Sequence, residues 1–212
     1  AAALSLSGCS GQNNNSSTAQ NNGGEELTKV SIVLDWTPNT NHTGLYVAQK
    51  LGYYKEAGLE VEILPSPEGG ASALVAAGGA DFGIDCQDTL APAFVGDDAL
   101  PVTAVAALIQ HNTSGIISLA DDGIQSPKNL EGKTYATWEN PVEQAIIKSL
   151  VEADGGDYSK INLIPSTVSD VITALNTNID AVWIFYAWDG VATEVKGYDT
   201  NFLDFAKIDP TF

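Results

Sequence analysis

The stretch that decides the fold reads LDWTPNTNHTGLYVA and covers residues 34–48. It joins two elements of different periodicity. Residues 29–34 are rich in β-branched side chains and predict a strand, whereas residues 43–57 carry apolar side chains at helical spacing and end before Gly58. Polar residues fill the connection. In open α/β sheets ligands bind at the carboxyl ends of strands, so this connection is a candidate binding loop.

The rest of the chain continues the alternation of strands and helices. Strands are predicted at residues 59–64, 81–84, 102–109, 115–119, 134–138, 162–164 and 181–185, and helices at 71–77, 89–95, 142–153 and 169–176. Near-continuous apolar strands are typical of a buried, mostly parallel sheet. Because the pattern restarts after Gly115, we predict two α/β lobes, residues 28–114 and 115–212, with a crossover near residues 113–115.

Acidic residues dominate the charge of this 212-residue chain. It has 27 acidic and 9 basic residues, a net charge of −18, and no Arg at all. A nucleic-acid-binding surface needs clustered basic residues, so this class of partner is excluded. The acids are scattered along the chain, which is typical of a solvated surface.

The N-terminal residues predict a membrane anchor. Cys9 follows a short apolar and small-residue stretch and precedes a tract rich in Asn and Ser. This resembles the lipobox of bacterial lipoproteins, in which a peptidase cleaves before a Cys that carries a diacylglycerol. Residues 1–9 are then expected to be a signal-peptide remnant with the lipobox, and residues 10–27 a flexible linker. The other cysteine, Cys86, lies in a different context, which argues against a disulfide framework.

The loop at residues 35–42 offers both an aromatic surface and hydrogen-bonding groups. Trp36 has a flat apolar face, Asn39 and His42 lie next to a helix N-terminus, and Asp35 supplies a carboxylate. We predict that these four residues contact a small polar heterocycle. Each also has a structural alternative: Trp36 in the core or a hinge, His42 in a helix cap, and Asp35 bracing its own loop.

A second candidate is the turn at Thr113, Ser114 and Gly115. It follows the apolar run at residues 102–109. Two hydroxyls and successive backbone N–H groups exposed there would hold a polar substituent. The alternative is an ordinary crossover turn.

A third candidate lies where a strand of the second lobe meets its helix. Trp138 offers a ring for stacking, and Glu139 would accept a hydrogen bond from an exocyclic amine. Glu143 either contacts the ligand as well or only favours the macrodipole at the helix start.

The fourth candidate is the aromatic group at residues 183–188. Alternation along the strand puts Trp183 and Phe185 on one face, so at least one of these rings is expected in the core. We therefore predict that Tyr186 and Trp188 line the cleft.

Several of these segments together resemble one family. They are residues 34–48, QHNTSG at 110–115, ADFGI at 80–84, WENPVE at 138–143 and WIFYAW at 183–188. The family contains bacterial binding proteins for pyrimidine precursors of thiamine and fungal hydroxymethylpyrimidine phosphate synthases. The resemblance runs from about residue 29 to residue 212.

The resemblance implies a type II periplasmic-binding-protein fold, with two lobes, a hinge and a ligand cleft between them. It also implies a lipid-anchored extracytoplasmic protein that delivers formylaminopyrimidine or hydroxymethylpyrimidine to the permease and ATPase of an ABC importer. No cofactor or metal is expected. Members of the binding-protein family are about a hundred residues longer, so the chain is expected to be C-terminally truncated, without the return to the first lobe.

Two alternatives remain open. An enzyme like the fungal synthases would need the lysine and histidine that the resemblance places in residues 81–90, but that segment reads DFGIDCQDTL. A binding protein for an alkanesulfonate, nitrate or a riboflavin-like heterocycle would share the fold. The absence of Arg counts against anions, because a guanidinium is the usual partner of a bound anion.

We predict that Cys9 carries the lipid. Cys9→Ala removes the acylated sulfur, and a two-chain anchor is what binds a protein stably to a membrane. The variant should therefore move from the membrane pellet to the soluble fraction or the medium, as followed by immunoblotting. Unchanged retention in the pellet would contradict the lipobox interpretation.

Overall fold

A computed structural model describes residues 26–97, 99–109 and 111–211. Cys9, the lipobox and the linker up to residue 25 lie outside the described residues. The described chain forms two sheets with helices between their strands, and it passes from the first sheet to the second between residues 94 and 113.

The first lobe contains a small parallel sheet. Its elements are β1 (Thr28–Val33), α1 (Thr43–Leu51), α2 (Tyr53–Glu56), β2 (Leu59–Leu64), α3 (Ala71–Ala76), β3 (Phe82–Gly83) and α4 (Gln87–Ala93). The strand order is β2-β1-β3, and both pairings are parallel. The loops that follow the three strands therefore leave the sheet at the same edge.

The helix predicted over residues 43–57 is interrupted. Gly52 has φ 83°, in the left-handed region, and separates α1 from α2. Glycine adopts this conformation without the steric cost of a Cβ. Helical periodicity continued across the break, which is why the sequence predicted one helix.

The second lobe contains a five-stranded mixed sheet. Its elements are β4 (Ser114–Leu119), β5 (Thr134–Thr137), α5 (Pro141–Ala153), β6 (Asn162–Pro165), α6 (Val171–Leu175), β7 (Ala181–Phe185), α7 (Val191–Val195), β8 (Thr200–Asp204) and α8 (Phe205–Ile208). The strand order is β6-β5-β7-β4-β8. β5 pairs parallel with β6 and β7, whereas β4 runs antiparallel to β7 and β8. This sheet has two parallel and two antiparallel pairings, and parallel pairing predominates, as predicted, when both sheets are counted.

Both faces of the second sheet are covered. In β7, Val182 and Ile184 pack in one hydrophobic cluster, while Ala181 and Trp183 pack in the other. This alternation follows from the two-residue period of a strand. It also confirms that one aromatic ring of residues 183–188 lies in the core, since Trp183 is 7% exposed.

The strand predicted at residues 102–109 is wrong. The structure has no strand there, and Val105, Leu108 and Ile109 are 72%, 74% and 64% exposed. An apolar run forms a strand only where a neighbour accepts its backbone hydrogen bonds, and among the described strands none pairs with this segment. Apolar composition alone could not show that the partner is missing.

No helix among residues 26–97, 99–109 and 111–211 combines the length and the apolar character that crossing a membrane requires.

Gly115 lies in β4, between β7 and β8. A Cβ at this position would overlap the carbonyl oxygen of Leu203 and lie 2.8 Å from the ring of Phe202. The close approach of β8 and its aromatic side chain thus depends on the missing side chain.

We expect Gly115→Ala to destabilise the protein by about 1–3 kcal/mol, because overpacking forces the strands apart. Urea denaturation measures the change. Gly44→Ala is the matched control: in α1 its Cβ would meet no atom within 4 Å, so the gain in helix propensity should change stability by at most about 1 kcal/mol in the favourable direction. Equal midpoints for the two variants would contradict the packing argument.

Candidate functional site

Two polar loops from different lobes meet directly. The turn Thr40–His42, after β1, contacts the π-helical turn Tyr186–Gly190, after β7. The hydroxyl of Thr40 donates a hydrogen bond of 2.9 Å to the carbonyl oxygen of Ala187. Both turns follow the carboxyl end of a strand, the position where α/β sheets bind ligands.

A buried histidine fixes the first of these loops. His42 is 2% exposed, and its Nε2 lies 2.6 Å from Asp35 Oδ1. The backbone N–H of Asn39 donates to His42 Nδ1 at 3.2 Å. Since Nδ1 is thus an acceptor, the proton lies on Nε2 and is donated to Asp35. His42 therefore orients Asp35 through Nε2. Its bond from the N–H of Asn39 to Nδ1 is the helix-capping bond that the structural alternative predicted.

The other residues predicted in this loop differ in whether their side chains are free to contact a ligand. The side chain of Asn39 bonds within the loop: it accepts a hydrogen bond from the N–H of Asn41 and donates one to the carbonyl oxygen of Thr37. Trp36 is 41% exposed, which excludes the core alternative. Asp35 is partly exposed, and Cys86 Sγ lies 4.0 Å from its Oδ2. Of the four residues predicted here, Trp36 and Asp35 have side chains that a ligand could reach.

The turn Tyr186–Gly190 contributes half-buried side chains from the second lobe. The ring of Tyr186 packs 4.8 Å from that of Phe202, and its hydroxyl bonds to Glu194. This bond raises the pKa of Tyr186. Trp188 is half-buried in the same turn.

Asp189 belongs to this turn and was not singled out from the sequence. Burial raises the pKa of its carboxyl to about 6, and the negative charge of Asp170 adds to the effect. A carboxylate that is partly removed from water next to another acid gains from any N–H donor that a ligand brings. The sequence could have indicated Asp189 as a site residue, because it lies beside Tyr186 and Trp188 directly after a predicted strand.

The loop at residues 138–140 lies at the same edge of the second sheet, because β5 and β7 are parallel neighbours. Glu139 is exposed and has φ 59°. The ring of Trp138 lies 5.6 Å from that of Trp183, so it packs partly on the core. Glu143 lies beneath this loop, 1% exposed, with its carboxylate bonded to protein donors. Both oxygens of this carboxylate accept hydrogen bonds from within the protein.

The Thr113 turn is arranged differently from the prediction. The hydroxyl and the N–H of Ser114 both donate to Asn112 Oδ1, and Ser114 is 1% exposed. Gly115 is buried inside β4. The expectation of two exposed hydroxyls is therefore wrong for Ser114, because strand β4 begins one residue earlier than predicted. Thr113 stays exposed, and its carbonyl oxygen accepts the N–H of Tyr186.

Two open depressions of the surface are each lined by one lobe, the first by residues of the β6–α6 connection and the second by Pro38, Thr40 and Tyr46 with their neighbours. Among the described residues, no three His, Cys, Asp or Glu side chains form a group that could hold a metal ion.

Comparison with known proteins gives consistent results. The model of the family described as NMT1/THI5 like matches residues 39–212. The formylaminopyrimidine-binding protein of Halalkalibacterium halodurans is 37% identical over 141 residues, which cover 66% of this chain and 42% of that protein. The 4-amino-5-hydroxymethyl-2-methylpyrimidine phosphate synthase of Legionella pneumophila is 27% identical over 184 residues, or 86% of this chain and 52% of the enzyme. The chain thus spans about half, or less, of the length of these relatives.

A solved structure identifies the fold. The alkanesulfonate-binding protein SsuA from Xanthomonas axonopodis pv. citri, bound to MOPS, superimposes with a TM-score of 0.59 at 16% identity. The match covers 84% of this chain and 61% of that one. The two-lobed periplasmic-binding-protein fold predicted from the sequence is confirmed.

We expect Asp189→Asn to stabilise the protein near neutral pH by about 1 to 3 kcal/mol, since a pKa raised from 3.8 to about 6 corresponds to at most about 3 kcal/mol. Well below its ordinary pKa the carboxyl is protonated in both the folded and the unfolded chain, so the variant has no advantage. As pH rises from 3.8 to about 6, the unfolded chain loses the proton while the folded wild type keeps it, so the wild type loses stability and the advantage of the variant grows. Above about pH 6 both states are ionised and the advantage is constant. Urea denaturation across this range measures it.

Asp157→Asn is the control of opposite sign. Hydrogen bonds from the side chain and backbone of Ser159 lower the pKa of Asp157, so its carboxylate stabilises the protein above its ordinary pKa. This variant should lose stability near neutral pH and match the wild type in acid. A pH-independent gain in Asp189→Asn would contradict the burial of that carboxyl.

Proposed function

Since this chain belongs to the NMT1/THI5 like family, we propose that it is the substrate-binding component of an ABC importer and binds a pyrimidine precursor of thiamine, formylaminopyrimidine or hydroxymethylpyrimidine, between its two lobes. One observation carries the proposal: the hydrogen bond from Thr40 to Ala187, which joins the polar loop after β1 to the aromatic turn after β7. This contact is what a ligand site shared by two lobes requires.

The chemistry of the loops fits a neutral amino-heterocycle. Trp36 and Trp188 offer faces for stacking, which is worth about 0.5–1.5 kcal/mol for an aromatic pair beyond the buried area. Asp35, Glu139 and Asp189 offer acceptors for the N–H groups of an aminopyrimidine. A flat ring with apolar faces can stack on the tryptophans, and N–H groups at its edge can donate hydrogen bonds to the carboxylates.

The same loops disfavour anionic ligands. The proposed site would contain three carboxylates, in a chain of net charge −18 without Arg. A sulfonate or nitrate would meet repulsion where it needs cationic or N–H donors. The likeness to the alkanesulfonate-binding protein therefore supports the shared fold, and the charge supports a different ligand.

Binding is also favoured over synthesis. Synthases occur among the relatives, so an enzyme is the second candidate. In this chain the carboxylate of Asp85, at the start of α4, accepts from Ser72 N, Cys86 N and the hydroxyl of Thr89. Asp85 thus links the first residues of α3 and α4, and residues 81–90 contain no amine that could form an imine.

A permease, an ATPase and attachment to the membrane through Cys9 complete the proposal. In this arrangement the protein works outside the cytoplasm and hands the pyrimidine to the importer.

We expect the 4-amino group of the pyrimidine to dominate recognition. Replacing it with hydrogen in 4-amino-5-hydroxymethyl-2-methylpyrimidine should weaken binding at least about tenfold, since an unpaired buried acceptor costs about 1–3 kcal/mol. Glu139→Gln should remove much of this preference. Isothermal titration of both ligands against both proteins measures it.

Two controls sharpen this titration. Glu131→Gln makes the same change at a carboxylate that pairs with Lys160 on the surface, and should leave the preference unchanged. Moderate salt should change the affinity little, because no net ion pair forms with a neutral ring. Equal affinity for the deaminated ligand, or a steep salt dependence, would instead favour an anion-binding protein.

A further inference from the structure

The backbone of Glu139 is strained. Its φ of 59° lies in the left-handed region, and among the described residues it is the one non-glycine residue with positive φ. Such a conformation persists only where surrounding contacts hold it, and it is concentrated at functional sites. The contacts that hold Glu139 are therefore part of the site.

A buried carboxylate anchors the loop from below. Glu143 Oε1 accepts from the hydroxyl of Tyr135 at 2.7 Å, and Oε2 accepts from the N–H of Trp138 at 3.0 Å. The carboxylate faces donors on β5 and in the loop, so it ties α5 to the end of the strand. The macrodipole interpretation of Glu143 accounts for none of these bonds.

Thr137 connects this anchor to Glu139. Its hydroxyl donates to Glu143 Oε2 at 2.9 Å and accepts the N–H of Glu139 at 3.0 Å. A hydroxyl has one proton and can accept through its lone pairs, so donation to Glu143 leaves a lone pair directed to the Glu139 N–H. The orientation of one peptide group in the loop is thereby fixed by a side chain 2% exposed.

We propose that Thr137 and Glu143 are positioning residues, which hold the Glu139 backbone at its left-handed angle and so present the Glu139 carboxylate to the ligand. This inference rests on the proposed function for the ligand contact of Glu139. The relay itself is a property of the ligand-free protein. The chain thus uses two residues that never touch the ligand to set the direction of one that does.

The first test needs no ligand. In the full 212-residue chain, Thr137→Val keeps the shape of the side chain but removes its hydroxyl, so the amide hydrogen of Glu139 should exchange with solvent about tenfold faster in NMR experiments, the factor for loss of one hydrogen bond. Thr137→Ser should restore protection to within about threefold. Thr134→Val is the matched control, since it makes the same change at the other end of β5 and should leave this amide unaffected.

The second test measures coupling. Titration with formylaminopyrimidine should show about tenfold weaker binding for Thr137→Val, and less than about twofold further loss when the same change is made in a Glu139→Ala background. A merely structural role would weaken binding equally in both backgrounds and would overturn the proposal. Unchanged exchange of the Glu139 amide in Thr137→Val would overturn it as well.

The two tests separate the failure of this inference from that of the proposed function. If the wild type binds no pyrimidine, the proposed function fails. The exchange measurement then still decides whether Thr137 holds the Glu139 backbone.

Discussion

Hydrogen bonds from hydroxyl and backbone N–H groups to carboxylates hold the loops of this protein in place. With 27 acids, 9 lysines and no arginine, the chain cannot neutralise its carboxylates by ion pairing. Asp85 binds Ser72 and Thr89, Glu143 binds Tyr135 and Trp138 N, and other acids accept similar donors, Asp81 from Ser31 and Asp180 from Thr134 N. Hydrogen bonding to the charged form stabilises a carboxylate as an opposite charge would. The loops at residues 138–140 and 186–190 each depend on a bond of this kind, from Trp138 N to Glu143 and from the hydroxyl of Tyr186 to Glu194.

The regular elements could be predicted because their signal is local. β1, β2, β5 and β7 begin and end within two residues of the predicted bounds. β7 is a continuous apolar run, and β2 alternates apolar residues with glutamates, and both patterns are local. Residues 102–109 have the same signal and form no strand. What they lack is a neighbouring strand, which is a property of the whole fold and not of the segment.

The site could be predicted in part. The sequence placed Glu139, Tyr186 and Trp188 at strand ends, and the parallel pairing of β5 and β7 puts these ends at one edge of the second sheet. Trp36 follows a strand of the first sheet. The sequence could not show which polar groups bind the protein itself. From the sequence, polar side chains such as His42, Ser114 and Glu143 are as plausible as ligand contacts as Asp35, Thr113 and Glu139. In the structure His42, Ser114 and Glu143 are buried and bind partners within the protein. The raised pKa of Asp189 likewise arises from its surroundings in the folded chain.

The hydrogen bond from Thr40 to Ala187 depends on the side chain of one partner only. Thr40 must supply a hydroxyl, but its acceptor is a backbone carbonyl, which every residue type provides at position 187. The second lobe is therefore free to change its side chain there without losing the bond, provided that the π-helical turn keeps its path. For protein engineering, this means that a second lobe taken from a relative would keep this hydrogen bond through its main chain, whatever residue stands at position 187.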